Sequence, residues 1–409
     1  MKLFFSALLL SFFFLGKYSL AQDDFSFSAQ IRPRLEIDGR SFNNNIKSQT
    51  FTLLRSRVGF RFTPNEDLTA FFQVQDSRTF GQESGTLADT RNLDIHQAYF
   101  KLKNIFGLPL DIKIGRMEIK YGSERLIGAV DWSNVGRSFD GGILTFKNKS
   151  VDIDLLAMQE VEKFNPGEMG DQFILGLNAD VKVSNKYKIQ PFIYWQRAVP
   201  MQKLNRFTPG IYINGDVGNL FHEIEFAYQI GDYATGPDSA LNKYDVKAFV
   251  AAVNIGYIFN MSEKPTLSAG ADYLTGNNPE QSKEFGAFNT LYATNHKFYG
   301  EMDYFTDIPA HTYGLGLLDI HGSFSILPVK KLITVLAIHY FRSVQKYTLL
   351  AKSETNNFGI EGDLTIRYFY NDNFTLQGGA SLFLPGDIFK EKRGKNNAFW
   401  FYIMTIVNL

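Results

Sequence analysis

Arginines recur at every second position in two neighbouring segments near the N-terminus. Arg32 and Arg34 lie in the first segment, and Arg55, Arg57 and Arg61 follow in the second. Residues two apart on a β-strand share one face, so two consecutive antiparallel strands would gather these guanidinium groups into one patch. A guanidinium stays charged at all relevant pH and presents a planar fork that matches a carboxylate. The pattern predicts a surface that contacts anions.

Acidic residues follow the same alternation in later segments. If the strands surround a water-filled space, these carboxylates either neutralise the arginines through salt bridges across the wall or leave an excess of positive charge on one side. The second arrangement favours an anion-selective path. Both alternatives stay open from the sequence. The acids expected to line the same space are Glu223, Glu225, Asp272, Asp319, Glu361 and Asp363.

The elements that must carry these residues are strands with two different faces. From Phe25 to Asp38, apolar and polar residues alternate strictly over fourteen positions, which is longer than the ~5–6 residues of a typical globular strand. One apolar and one polar face suits a strand between lipid and an aqueous lumen. The same alternation recurs in segments 54–62, 173–183, 220–230, 267–273 and 358–368.

Short and long connections alternate between these segments, as do the periplasmic turns and extracellular loops of outer-membrane barrels. The sequence therefore predicts an all-β protein, a transmembrane antiparallel β-barrel of about eighteen strands with short periplasmic turns and long extracellular loops. The competing interpretation is a large soluble β-sandwich or propeller, whose outer strand faces would be polar. The short turns are expected at 63–67, 148–150, 184–187, 260–265 and 371–373.

Composition agrees with an exported barrel. The chain has 409 residues, 42 Lys+Arg against 42 Asp+Glu, and no cysteine. Balanced charge removes the electrostatic case for a nucleic-acid binder, and the absence of cysteine excludes disulfide scaffolds and thiol chemistry. Aromatic residues make up 15% of the chain, which favours strands. A mean hydropathy of −0.16 is too polar for a helical membrane protein.

The N-terminus has the layout of a signal peptide. Lys2 precedes an apolar run, and Ser19 and Ala21 supply the small residues of a cleavage site. Residues 1–21 are therefore predicted to be removed, and residues 22–409 to form one barrel in the cell outer membrane. The connection at 275–311 is long for a mere connector, and it is the candidate for a constriction inside the pore.

One segment departs from simple alternation, at residues 114–141. It contains Gly115-Arg116, Tyr121-Gly122, Arg125-Leu126, Asp131-Trp132 and Gly136-Arg137-Ser138-Phe139-Asp140-Gly141. This segment resembles the signature of the alginate-export family of outer-membrane barrels. Residues 221–231 (FHEIEFAYQIG) and 288–303 (FNTLYATNHKFYGEMD) also resemble segments of that family. The resemblance implies an eighteen-stranded barrel whose electropositive constriction passes an anionic uronate polymer.

Carried over by motif, Arg116, Arg125 and Arg137 match the arginines of the family, and Asp140 matches the adjacent acid. The resemblance implies that these arginines contact carboxylates transiently. The alternative is that they anchor the loop at 120–137 through pairs with Glu118, Glu124 and Asp140.

These observations predict a porin-like outer-membrane channel for anionic solutes, namely uronate or other acidic poly- or oligosaccharides such as alginate. The alternatives are a general or structural barrel without sugar-acid selectivity, or a barrel hydrolase. His321 shares a strand face with Asp319 and Ser323, but i, i+2 and i+4 positions are ~7 Å apart, too far for a relay within one strand. The expected partners are the outer-membrane bilayer and its lipopolysaccharide, the barrel-assembly machinery and the anionic solute. Neither a cofactor nor a metal is expected.

Overall fold

The structure is a computed structural model that describes residues 24–86, 92–161, 171–184, 186–199, 204–235, 242–278, 280–281 and 283–409. The predicted signal peptide at 1–21 lies outside these residues and stays a prediction. The described strands are β1 (Phe25–Gly39), β2 (Gln49–Phe62), β3 (Leu68–Thr79), β4 (Leu93–Leu102), β5 (Leu110–Met117), β6 (Phe139–Lys147), β7 (Val151–Val161), β8 (Asp171–Ser184), β9 (Tyr187–Val199), β10 (Leu204–Val217), β11 (Leu220–Thr235), β12 (Asn242–Ile258), β13 (Thr266–Leu274), β14 (Glu284–Phe285), β15 (Leu317–Val329), β16 (Leu332–Thr348), β17 (Glu354–Phe369), β18 (Phe374–Pro385) and β19 (Ala398–Asn408).

Eighteen of the described strands close into one antiparallel barrel, which confirms the predicted fold class. Each strand pairs with its neighbours in chain order, and β19 pairs with β1 to complete the ring. The remaining strand, β14, has two residues and pairs in parallel with β12 above the end of β13. Closure matters because an open edge in hydrocarbon would leave backbone N–H and C=O groups unpaired.

The predicted alternation appears as an outward apolar face and an inward polar face. On β1, Ile31 is 45% exposed, whereas Arg32 next to it is 3% exposed. On β16, Ile338 is 58% exposed, and the neighbouring His339 is 9% exposed. Large apolar side chains therefore face the surroundings of the barrel, which suits lipid rather than water.

The connections alternate in length around the ring. Short turns, such as 148–150 and 330–331, lie at the end of the barrel that carries Phe25 and Leu409, and the long connections lie at the other end. In outer-membrane barrels the short turns are periplasmic and the long loops extracellular. The end that carries Phe25 and Leu409 is therefore the periplasmic end, and the opposite end is the extracellular end. Among the described residues, no helix has the length and apolarity needed to cross a membrane.

Aromatic side chains fill part of the barrel interior beside β16, β17 and β18. These strands turn Phe341, Phe358 and Phe383 inward, and each is fully buried. Phe305, from the connection between β13 and β15, packs on Phe341 with ring centroids 4.6 Å apart. Phe389 lies in the short helix α1 (Asp387–Lys392), between β18 and β19, and stacks on Phe305 at 5.6 Å. This side of the lumen is thus a packed core, so any passage must lie elsewhere.

The orientation of β16 can be tested with two adjacent substitutions. Ile338→Arg would place a charge on the outward face, and near the bilayer midplane such a charge costs about 2–4 kcal/mol. Ala337→Arg, one residue away, would instead point into the lumen beside Asp363, which lines the same cavity. We expect the first variant to lower the free energy of unfolding in lipid vesicles and the second to leave it nearly unchanged. The opposite order would show that the two faces have been exchanged.

Candidate functional site

Two connections fold into the barrel rather than away from it. The first inner segment, residues 118–138, joins β5 to β6, and the second inner segment, residues 275–316, joins β13 to β15. They meet through backbone hydrogen bonds: Gly128 N–H donates to the Tyr292 carbonyl at 2.9 Å, and Tyr292 N–H donates to the Leu126 carbonyl at 2.8 Å. The two segments therefore act as one body inside the lumen. The first contains most of the motif that carries the family resemblance, and the second includes the long connection predicted at 275–311.

On β1 and β2, four arginines face inward, as the alternation predicts, but the first inner segment covers them: Arg32, Arg34, Arg55 and Arg57. Arg61 is exposed. Arg32 donates to the Asp131 carbonyl at 2.6 Å and to the Ser133 carbonyl at 2.7 Å. Arg34 donates to the Trp132 carbonyl at 2.8 Å. An irregular segment leaves carbonyl groups without strand partners, and buried carbonyls need donors. These guanidinium groups supply the donors.

The other two arginines of this group bind the same segment through charge as well. Arg55 contacts both the carbonyl and the carboxylate of Asp131, at 2.9 and 2.8 Å. Arg57 contacts the Glu118 carboxylate at 3.1 Å and the Val135 carbonyl at 3.1 Å. Gly136, at φ +78°, lies against the Arg57 guanidinium, where a Cβ would come within 2.7 Å of it. Burial favours a raised pKa for Asp131, yet the nearby arginines, Arg55 foremost, lower this pKa overall.

Of the three arginines matched by motif, Arg125 and Arg137 lie in the first inner segment, whereas Arg116 lies on β5. Arg125 is buried, pairs with Asp272 and lies 3.8 Å from the Phe298 ring centre, so it ties both inner segments to β13. Burial opposes its charge, but Asp272 raises the pKa of Arg125 overall. Arg137 donates to the carbonyls of Tyr292 and Ala293 and so joins one inner segment to the other. Both residues anchor the inner segments, but not through the pairs with Glu118, Glu124 and Asp140 that the second alternative named.

Arg116 and Asp140 do not line the lumen, which corrects the interpretation of both as lumen residues. They pair with each other at 2.7 Å across β5 and β6. Ala98, the register partner of Arg116, shares the outward face with Phe100, which is 43% exposed. The motif identifies these residues but does not indicate the face of the strand on which each one lies.

The predicted acids of the later strands lie on the inward face, and three of them contact the inner segments: Glu225, Asp272 and Glu361. Glu225 accepts a hydrogen bond from the Ser123 hydroxyl, and Glu223 accepts one from the Tyr212 hydroxyl at 2.9 Å. Glu361 accepts the Met302 N–H at 2.7 Å. Asp363 is buried and borders a cavity described below. Basic side chains thus cluster on β1 and β2, and acidic ones on β11 to β17.

A three-layer stack lies inside the lumen, between the two inner segments. The Trp132 indole lies between the Arg34 guanidinium, 4.1 Å from the ring centre, and the His296 imidazole, whose centroid is 4.4 Å away at an interplanar angle of 7°. Asp303 fixes His296 by a contact of 2.7 Å to Nδ1. A guanidinium on an indole face is a favourable cation–π arrangement. The Trp132 ring of the first inner segment and the His296 ring of the second are therefore in contact inside the lumen.

Two cavities lie on opposite sides of this stack, and Trp132 and His296 line both. The extracellular-side cavity has a volume of about 390 Å³ and is bordered by Arg34, Arg40 and Arg137. The periplasmic-side cavity has a volume of about 420 Å³. Both volumes are within the range of small-ligand pockets, roughly 300–1,000 Å³. The ring pair separates two solute-sized chambers.

Sequence reasoning missed the cations that the periplasmic-side cavity exposes. Lys120, Lys297 and Arg367 border this cavity and are exposed. The first two lie within segments that resemble the family, and Arg367 follows the inward alternation of β17, so the signal was present. These three cations were not predicted because the prediction relied on the arginine alternation of β1 and β2, and most of those arginines are buried.

The Asp319, His321 and Ser323 series does not assemble a nucleophile relay. The Ser323 hydroxyl pairs with the Ser268 hydroxyl at 2.8 Å. Asp319 lies instead between two histidines, His321 and His339, at 3.2 and 2.9 Å.

Comparison with known proteins now decides the family. The family model described as "Alginate export" matches residues 23–402. The chain belongs to the alginate export family. Among curated proteins, none matches this sequence well enough to count as a relative.

Solved structures agree with the family on the fold. OccK11 (OpdR) of Pseudomonas aeruginosa is 12% identical, with 95% of this chain and 96% of that chain covered and a TM-score of 0.60. OpdO of the same organism is 10% identical, with coverage of 95% and 97% and a TM-score of 0.63. OpdK of Pseudomonas aeruginosa, solved with vanillate, is 10% identical, with coverage of 94% and 98% and a TM-score of 0.60. At such identity the likeness concerns the fold, that of outer-membrane porins.

The anchoring role of the buried arginines can be tested on β2 of this family member. Arg55→Ala removes the donors to Asp131 and should lower stability by about 1.5–3 kcal/mol, typical of hydrogen bonds to charged groups. We expect a larger and noisier single-channel conductance in planar bilayers, because the first inner segment loosens. Arg61→Ala is the matched control, since Arg61 is exposed and packs on Phe71. Identical behaviour of the two variants would contradict the anchoring role.

The ring pair predicts a second change in conductance. Trp132→Ala should join the two cavities and raise single-channel conductance without loss of the folded barrel on heat-shift electrophoresis. Trp195→Ala is the control, because Trp195 stacks on Phe207 on the outward face. An unchanged conductance in Trp132→Ala would mean that the passage bypasses the stack.

Proposed function

We propose that this protein is an outer-membrane channel for anionic solutes of the sugar-acid class, such as uronates and short acidic oligosaccharides related to alginate. That the chain is a channel-type barrel of the outer membrane follows from its family and fold. The preference for anions is supported by one observation above all. Basic side chains border both cavities that flank the Trp132–His296 pair.

Charge balance supports an anionic solute in the extracellular-side cavity. Three arginines, Arg34, Arg40 and Arg137, border it against two acids, Glu36 and Asp303. Arg32 and Arg55 donate to the carbonyl of Ser133, which lines the same cavity, and so add to the positive potential there. Charges that line a narrow passage with low-dielectric walls concentrate counter-ions there.

The periplasmic-side cavity holds nearly equal numbers of acids and bases, but they differ in exposure. Lys297 has 51% of its side chain exposed. By contrast, Asp363 is buried, and Glu301 accepts a hydrogen bond from the Thr365 hydroxyl at 2.6 Å. Burial raises the pKa of Glu301, which favours its neutral form. Asp131 also lines this cavity, and its side chain is 56% exposed, but its carboxylate is paired with Arg55 at 2.8 Å. A solute in this cavity therefore meets three exposed cations and one exposed carboxylate that is already paired.

Cavity size bears on the length of the solute. Volumes of about 390 and 420 Å³ suit a small ligand. A polymer could thread the lumen only if Trp132 and His296 separated. We therefore infer that the channel accepts short sugar acids, and that a longer chain passes only when the Trp132 and His296 rings move apart. A related fold solved with vanillate offers the second candidate class, small aromatic carboxylates.

Ion selectivity provides the test. In a salt gradient across a planar bilayer, the wild-type channel should favour chloride over potassium. Combined substitution of Lys120→Gln, Lys297→Gln and Arg367→Gln should reduce the anion-to-cation permeability ratio by about two- to fivefold, since charge at the pore wall sets local ion concentration. Lys352→Gln is the control, because Lys352 lies in the extracellular turn between β16 and β17.

Solute identity is read from the same bilayers. Glucuronate and oligomannuronate should interrupt the current at lower concentration than neutral glucose, and vanillate tests the second class. A cation-selective wild-type channel would overturn the anionic proposal. Equal interruption by glucose and glucuronate would leave a general porin as the remaining function.

A further inference from the structure

A cluster of two histidines and one aspartate lies on the inward face of β15 and β16, apart from the ring pair. Asp319 and His321 belong to β15, and His339 belongs to β16, where it is the register partner of His321. One possible ligand atom from each residue lies within 4.8 Å of the other two. We propose that Asp319, His321 and His339 form a binding site for one divalent transition-metal ion of the Zn²⁺ class.

The two distances from Asp319 to the histidines fit shared coordination. The Asp319 Oδ2 atom is 3.2 Å from His321 Nδ1 and 2.9 Å from His339 Nδ1. With metal–ligand bonds of about 2.0–2.1 Å, such separations correspond to angles of roughly 90–105° at a common ion. Tetrahedral and octahedral ions use angles of this size. Imidazole nitrogen and carboxylate oxygen are also ligands that zinc accepts.

Hydrogen bonding among the three residues leaves polar atoms unsatisfied. His339 makes the one well-formed hydrogen bond to Asp319. The Nδ1 atom of His321 and the Oδ1 atom of Asp319 are buried and lack hydrogen-bond partners among the described residues. Buried polar atoms without partners are costly. A metal ion would engage His321 and Asp319 together, which a simple His339–Asp319 ion pair does not.

The surroundings hold both imidazoles in place. His339 stacks on Phe341 with an interplanar angle of 10°. The His321 ring lies against Gly270 of β13, where a Cβ would come within 2.4 Å of its Nε2 atom. The neighbouring carboxylate Asp272 is already paired with Arg125. Asp319 is the carboxylate in contact with both histidines, and rigid neighbours keep the ligands preorganised.

An ion could reach this site from the aqueous lumen. His339 borders the periplasmic-side cavity. His321 retains 18% side-chain exposure, although Asp319 is fully buried. Three protein ligands leave at least one position for water, as in metal sites with an open coordination position. The proposed ion would thus be bound at the wall of the solute pathway, independently of which anion passes.

Metal titration of the folded protein tests this proposal directly. The tag-free barrel in detergent is stripped with EDTA, and Zn²⁺ is then titrated against a chromophoric chelator. We expect one ion per chain in the wild type. His321→Gln and His339→Gln should each weaken the affinity by about tenfold or more, on the scale seen when metal-site partners are removed. His222→Gln is the matched control, because His222 lies on β11 beside Tyr187, with ring centroids 5.7 Å apart, away from the cluster.

A second measurement keeps the proposal testable if a variant misfolds. In the wild-type protein, Zn²⁺ should protect His321 and His339, but not His222, from acylation by diethyl pyrocarbonate, as mapped by mass spectrometry. Stoichiometric binding together with this protection supports the site. Absence of saturable binding, or equal acylation of the three histidines with and without Zn²⁺, overturns it. Neither outcome depends on ion selectivity, so the proposed channel function is judged separately.

Discussion

Backbone pairing is the constraint on which this structure depends. A strand in hydrocarbon cannot give its N–H and C=O groups to water, so every strand needs two neighbours. The chain meets this condition when β19 pairs with β1 from Gln30–Asn408 to Gly39–Phe399. Once the ring is closed, side chains can differ freely between its faces. The outward face becomes apolar, and the inward face becomes free to carry charge.

The charged residues of the inward face on β1 and β2 stabilise the first inner segment. The first inner segment has no strand beside it, and its carbonyl groups would otherwise be buried without donors. Arg32, Arg34, Arg55 and Arg57 supply those donors from β1 and β2. Four neighbouring guanidinium groups would repel each other in isolation, but carbonyl dipoles and Asp131 lie between them. The residues that first suggest anion binding therefore stabilise the segment that narrows the pore.

Sequence patterns predicted the parts of this architecture that follow a period. The alternation from Phe25 to Asp38 gave the faces of β1 correctly, because lipid and lumen impose a period of two along the strand. The prediction for Arg116 and Asp140 was wrong because it relied on the motif rather than on the period. The period of two continues from Ile114 to Arg116 on β5 and from Phe146 to Asp140 on β6, and Ile114 and Phe146 are 41% and 39% exposed. The alternation, followed through the motif, places both residues on the outward face.

The ring pair could not be predicted for a different reason. Trp132 and His296 are 164 positions apart in the sequence, and no local pattern relates them. Their contact depends on how two irregular segments pack on each other inside the barrel. The same holds for His321 and His339, whose proximity follows from the register of β15 and β16. The strands can be predicted from the local alternation of residue types. These contacts cannot, because they depend on how distant parts of the chain pack together.

The aromatic packing beside β16 to β18 has a mechanical consequence. Phe305 of the second inner segment is held between Phe341 and Phe389, and Tyr304 donates from its hydroxyl to the Arg40 carbonyl at 2.7 Å. A segment wedged in this way resists ejection as a plug. Widening by rotation of a single indole or imidazole disturbs far fewer contacts. The opening of this channel is therefore expected to change through the rotation of single side chains, while the inner segments remain inside the barrel.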